Sequence, residues 1–332
     1  TIAVWDARSG DRVATLTTPD PVMPPAWLHA FFSQDGRQIV GTNAYDVWLW
    51  DARTGRLLTT MKGAQDPQSF GLLLSPDSGT LITSAAGASV RLFDARSGVL
   101  RARPAGHAGQ ILFGRLSPDA SVLLTTSADK TARLWNVASG QALDVLSGHT
   151  ESVSAGDFSP DGGQVVTASR DNVARIWNIR GGQHLLRLDG HRDMVLHATY
   201  SQDGRYIATA SADRSAAVWD AESGQQLASV TLPDSVQVVA FSDGGEYLAT
   251  GTGYLDRTVR IWDWHQRRVV VELTGHHDAI TAVSFSPDAR LLGSTSSDGT
   301  VRLWDWRAGH AIWTSAQQPS ALTQLAFAPR GG

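Results

Sequence analysis

The feature that most constrains this chain is a period of about 42 residues. An aromatic residue followed by aspartate or asparagine occurs at Trp5-Asp6, Trp50-Asp51, Phe93-Asp94, Trp135-Asn136, Trp177-Asn178, Trp219-Asp220, Trp262-Asp263 and Trp304-Asp305. The intervals are 45, 43, 42, 42, 42, 43 and 42 residues, and self-similarity at such a period is the mark of a repeat architecture. A second series runs in phase, among it Ser33-Gln34-Asp35-Gly36, Ser159-Pro160-Asp161-Gly162 and Ser286-Pro287-Asp288-Ala289. Its proline and glycine positions are turn chemistry. A third series of turns follows the aromatic pair, as in Ala52-Arg53-Thr54-Gly55.

Between the turns lie short runs rich in Val, Ile, Leu, Ala and aromatics, and no helical periodicity is long enough to compete. The unit from Ser152 to Leu188 reads as four strands: Ser152–Phe158, Gln164–Ser169, Val173–Asn178 and Gln183–Leu188. Four short strands per repeat, repeated, predict an all-β propeller, because each small sheet is apolar on both faces and must stack on its neighbours. The length of 332 residues would allow two domains. The repeat decides for one, spanning residues 1–332.

Composition removes several function classes. With no cysteine there is no disulfide framework, thiolate metal site or cysteine nucleophile. No apolar run reaches a membrane span, and no secretory leader opens the chain. A net charge of -4 argues against a dominant nucleic-acid footprint. The ten histidines show no metal-ligand spacing, and no phosphate-binding glycine loop occurs, so neither cofactor nor metal is expected. Of 28 basic residues only Lys62 and Lys130 are lysine, a skew that GC-rich coding gives and that points to a bacterial source. The chain begins inside a repeat, which suggests a piece of a longer, cytoplasmic protein.

Gly-His pairs at Gly106-His107, Gly148-His149, Gly190-His191 and Gly275-His276 each precede their tryptophan by the same 28 residues. With these pairs and the tryptophan-aspartate marks, the chain resembles the WD40-repeat β-propeller family over essentially its whole length. In that family the histidine, a serine, an aspartate and the tryptophan form a hydrogen-bonded network. The resemblance implies that role for His107, Ser127, Asp129 and Trp135; for His149, Ser169, Asp171 and Trp177; for His191, Ser211, Asp213 and Trp219; and for His276, Ser296, Asp298 and Trp304. A hydrolase triad is the rival reading of Ser, His and Asp, but a catalytic set occurs once and this one occurs four times. No catalytic residue is therefore assigned.

Three units depart from the pattern. The Phe93 unit has Gly87 where the aspartate should be, the Trp50 unit has Ala44, and the Trp262 unit keeps Asp256 but lacks Gly-His and has a loop one residue longer, Thr252–Arg257. These units are expected to be less rigid. At the ends, Ile2–Asp6 and Arg12–Thr17 read as third and fourth strands, and Ala321–Phe327 as a first strand. Seven complete four-stranded units lie between. Nine residues, one second strand, would complete an eighth unit shared by both ends, giving a mean repeat of about 42.6 residues. An eight-bladed ring is favoured over a seven-bladed ring with stray end strands.

Fold alone does not assign function. Propellers of this family usually bind proteins or peptides, which suggests a noncatalytic scaffold or sensor in a larger bacterial signalling protein. Other domains of the same chain are possible partners. Three surfaces offer themselves. The loops between second and third strands carry Lys130, Arg170, Arg214 and Arg257, beside Arg192, Asp193 and Met194 of the loops entering each unit. Arginine suits bidentate anion recognition, so an acidic or phosphorylated segment is one expected partner. Ordinary solvated charge is the competing reading. On the opposite face Trp264 and Trp306 stand near Arg267, Arg268 and Arg307, either as a contact surface or packed between blades. The third surface surrounds Trp27 and Trp48. Nucleic acid or another polyanion bound by the basic loops, and an enzyme with a cryptic site, remain the alternative functions.

Overall fold

The computed structural model describes residues 2–5, 12–17, 29–33, 35–43, 45–64, 72–85, 88–317, 325 and 327. The expected first strand at Ala321–Phe327, apart from Leu325 and Phe327, lies outside them, as do Trp27, Ala44 and Gly87. The described residues form seven four-stranded antiparallel sheets and one two-stranded sheet, and no helix long and apolar enough to cross a membrane occurs among them.

Each four-stranded sheet is an up-and-down meander in sequence order. In the Trp177 sheet the strands are Val153–Phe158, Gln164–Ser169, Ala174–Asn178 and His184–Leu188, within a residue of the expected bounds. The second strand is buried along both faces, while the fourth alternates between exposed and buried. Contact between neighbouring sheets is concentrated on the first and second strands, so the sheets radiate from an axis lined by their first strands. The apolar clusters lie between sheets. One joins Val166, Ile176 and Leu188 to Ala198, Ile207 and Trp219 of the next sheet. This is the stacking expected of a propeller.

Both turn series have side-chain causes. Ser159 Oγ donates to Asp161 Oδ1 at 2.6 Å and accepts from Gln164 N at 2.8 Å, which closes the turn between first and second strands. Gly162 there takes the left-handed conformation, φ 70°. The aspartate after the aromatic caps the next turn: Asp51 Oδ1 accepts from Thr54 N at 2.7 Å and from Thr54 Oγ1 at 2.6 Å. Its counterparts Asp94, Asn136 and Asp220 act alike toward Ser97, Ser139 and Ser223. A β-bulge immediately before the tryptophan, as between Ile176 and Trp177, increases the local twist and occurs in seven sheets.

The two-stranded sheet, Ile2–Trp5 paired with Arg12–Leu16, stacks on the Trp50 sheet through Val4, Leu16, Ile39 and Trp50. Trp50 Nε1 donates across to the Thr17 carbonyl at 3.3 Å. At the other end Leu325 and Phe327 lie against Gly293 of the Trp304 sheet, where a Cβ would come 2.3 Å from Leu325 Cδ2.

Candidate functional site

The network is built once per regular sheet. His149 Nδ1 lies 2.9 Å from Asp171 Oδ2, its Nε2 lies 2.8 Å from Thr167 Oγ1, and Trp177 Nε1 donates to the same hydroxyl at 2.8 Å. An indole only donates and a hydroxyl has one proton. The hydroxyl therefore accepts from the indole and donates to Nε2, leaving the imidazole neutral with its proton on Nδ1, facing the carboxylate. The other three sets repeat this through Thr125, Thr209 and Ser294.

The electrostatics agree. Burial is the largest influence on His107, His149, His191 and His276, and it lowers each pKa despite the facing carboxylate. Burial alone would raise the pKa of Asp171, but the hydrogen bonds from His149 and from Thr150 and Val173 N–H outweigh it and hold the carboxyl at about 2.

This corrects one member of each expected set. Ser127, Ser169, Ser211 and Ser296 do not touch the histidine; the relaying hydroxyl stands two residues earlier. Ser169 Oγ instead donates to the Glu151 and Ser152 carbonyls and accepts from Asp171 N at 3.1 Å. Ser127, Ser211 and Ser296 similarly donate to the carbonyls of Gly109, Asp193 and Asp278. They tie the loop between second and third strands to the loop entering the sheet.

The Trp262 sheet uses different chemistry. With Leu232 where the histidine would be, Trp262 Nε1 is buried without a hydrogen-bond partner among the described residues. Arg260, only 6% exposed, donates through both terminal nitrogens to Asp256 and through Nε to Glu272 at 2.7 Å. Thr252 Oγ1 adds a bond to Asp256 at 2.7 Å.

These bonds hold one face on which the entering loops and the loops between second and third strands converge. Lys130, Asn172, Arg214 and Arg257 occupy left-handed positions in four consecutive loops, with φ between 55° and 71°. Arg170 stands two residues earlier in its loop, so the expected row of four equivalent cations is broken at Asn172. Lys130 Nζ reaches Glu151 of the next sheet at 3.3 Å, and Asn172 and Arg257 reach the carbonyls of Arg192 and His277, each at 3.5 Å. The exposed side chains of Arg170, Arg192 and Arg214 make no ion pair or hydrogen bond among the described residues. Nearby carboxylates accept from backbone N–H groups: Asp193 from Met194 N and Asp278 from Ala279 N in their own loops, and Asp234 from Ser235 N and from Leu255 N of the neighbouring loop. Three guanidinium groups are thus presented outward without carboxylate partners, with the exposed Asp193 beside them. Met194 is half-buried beside it.

On the opposite face, packing between blades is the reading the geometry carries. Trp264 and Trp306 are 5% and 2% exposed, and their indoles donate to the Gly245 and Ala289 carbonyls. Trp264 packs edge-on to Tyr206, and Trp306 against Tyr247 and Phe285. Indoles so enclosed fill the grooves between sheets and offer a partner no surface. Trp48 is likewise 4% exposed. The sequence did not single out Tyr254 and Leu255, each 69% exposed at the tip of the lengthened loop; the insertion was their only signal.

Among the described residues, no three His, Asp or Glu side chains converge as metal ligands. The model for the WD domain, G-beta repeat, matches residues 98–136, 140–178, 182–220, 224–263 and 267–305. A similar solved structure is the crystal structure of the computationally designed Ika8 protein, 26% identical, with a TM-score of 0.79 over 92% of this chain and 91% of that one. No curated protein matches this sequence.

Proposed function

This chain belongs to the WD40 family, and from that premise we propose that it is a noncatalytic binding platform for acidic or phosphorylated segments of partner proteins. The observation that carries the reading is the imbalance on the loop face. Carboxylates there engage backbone N–H groups, while Arg170, Arg192 and Arg214 stand exposed with no carboxylate partner among the described residues. A guanidinium presents a planar fork of donors that matches a carboxylate or phosphate in pairs. The serine and histidine networks fix the loops from below, so less conformational freedom is lost on binding. That this recognition serves a larger bacterial signalling protein in the cytoplasm is part of the same proposal. Its support is the family and a basic complement with two lysines among 28.

The test is fluorescence polarisation with peptides of equal length, either Asp/Glu-rich, phosphoserine-containing or Lys-rich. Acidic and phosphorylated peptides should bind and Lys-rich ones should not, and Arg192→Glu with Arg214→Glu should weaken binding at least about tenfold, the effect of about 1.4 kcal/mol. Equal binding of both peptide signs would refute the proposal. So would tight, salt-dependent binding of DNA or RNA abolished by the same charge reversal, which would mark a nucleic-acid surface.

A further inference from the structure

The loop Thr252–Thr258 departs from its counterparts in three ways at once. It is longer, it replaces the histidine network by the buried Arg260–Asp256 pair, and it carries two large apolar side chains outward. Tyr254 and Leu255, each 69% exposed, are the most exposed of the large hydrophobic residues described. Exposed apolar side chains are common on protein surfaces and need no explanation when isolated and mobile. These two are adjacent, and the backbone beneath them is pinned. Leu255 N donates to Asp234 Oδ2 at 2.9 Å, Arg257 N to the Gly253 carbonyl at 2.8 Å, and Gly253 N to the Ser235 carbonyl at 2.9 Å. Asp256, between them and Arg257, receives bonds from Thr252 and from both ends of the Arg260 guanidinium.

Arginines of two neighbouring loops stand near this tip. Arg257 follows two residues after Leu255, its guanidinium holding only a 3.5 Å bond to the His277 carbonyl. On the other side, the Arg214 carbonyl accepts from Leu232 N at 2.8 Å, in the same entering loop whose Asp234 holds Leu255. A rigid aromatic-aliphatic tip with arginines in its own loop and the neighbouring one has the make-up of a binding hot spot, where Tyr and Arg are enriched.

We propose that Tyr254 and Leu255 form a preorganised anchor for an apolar residue within an acidic, extended segment of a partner protein, whose carboxylates meet Arg214 and Arg257. The proposal rests on the acidic-partner reading above and adds to it a fixed point of attachment and a requirement on the partner's sequence. Charge complementarity selects the occupant. An uncharged apolar segment would leave the guanidinium groups facing it unpaired, and a basic one would be repelled.

The probe is a random twelve-residue displayed peptide library selected on the full chain, followed by synthesis of the enriched peptides. Enriched sequences should place one Leu, Phe, Tyr or Trp among Asp or Glu. Tyr254→Ala and Leu255→Ser, both at exposed positions, should each weaken a synthesised peptide at least fivefold without moving the thermal midpoint. Trp313→Ser, at another exposed apolar position, should change nothing. Replacing the peptide's apolar residue by Ser should give the same loss on the wild type and no further loss on Tyr254→Ala. Undiminished binding by Tyr254→Ala and Leu255→Ser would overturn the anchor; if Arg192→Glu with Arg214→Glu still abolished binding, the acidic platform would survive it. A selection enriching nothing, or only apolar peptides without acidic residues, would overturn both.

Discussion

At the residue scale, the hydroxyl between histidine and tryptophan does the most with the least. In the Trp177 sheet Thr167 accepts from one ring and donates to the other, both at 2.8 Å, in a space from which water is shut out. Removing it leaves an indole donor and an imidazole acceptor buried and unsatisfied, at a cost of about 1–3 kcal/mol each. Thr167→Val should therefore destabilise the chain by about 2–6 kcal/mol and shift the Trp177 indole N–H resonance strongly upfield. Ser169→Ala also destabilises, since Ser169 bonds three backbone groups, but should leave that indole resonance in place. Equal movement of the resonance in the two variants would assign the relay to Ser169 after all. The sequence could not choose between them, because Thr167 and Ser169 are two apart on one strand, face the same side and carry similar hydroxyl groups. Only the depth to which the His149 ring enters the sheet decides. Trp264 and Trp306 were obscured for a related reason. Six other repeats hold Ala, Val or Ile at their position, so the larger ring read equally as an addition to the surface or as a filler of a wider groove.

At the scale of the element, strand order and bounds followed directly from turn chemistry, since Ser-x-Asp turns and aspartate caps mark one end of each strand. What the repeat pattern could not show was how a sheet lacking its histidine compensates. The Trp262 sheet was expected to be less rigid. Its Arg260, enclosed between Asp256 and Glu272, ties the loop to the third and fourth strands instead. Truncating one member of such a buried pair leaves the other charge uncompensated, so Arg260→Met should cost about 3 kcal/mol in urea unfolding. A cost as small as that of a surface arginine would mean the pair contributes nothing. The Phe93 sheet has no comparable device among its described residues, and its first and fourth strands, Leu72–Leu74 and Leu100–Ala102, are three residues long. Amide exchange should therefore be fastest there, and the Trp262 sheet should exchange at a rate closer to that of the Trp177 sheet. Uniform protection across all sheets would contradict both statements.

For the whole molecule, repetition turns a local pKa shift into a global property. Four network histidines and His197 on a first strand all titrate below 6.5, His197 at about 4, chiefly because burial disfavours their charged forms. Below pH 6.5 the unfolded chain thus binds more protons than the folded one, and stability falls as pH falls. The histidine share begins to disappear below pH 6.5, and that of His197 is lost down to about pH 4. The shares of Asp129, Asp171 and Asp213, held at about 2, are lost only between pH 3.8 and about 2. Urea midpoints should therefore drop between pH 7.5 and 5, before the carboxylates titrate, and His197→Asn should drop less. A flat profile over that range would show that these histidines are not held neutral.

The side chains that leave one loop for the next all lean the same way. Lys130 reaches Glu151, Asn172 reaches Arg192 and Arg257 reaches His277, in each case a group 20 or 21 residues later in the chain. Sheet-to-sheet packing is likewise between consecutive units. A ribosome releasing this chain would deliver every such receptor shortly after the group that grips it. Each vane could then be latched onto a finished predecessor as it emerged, with no exposed half-built core waiting for distant residues.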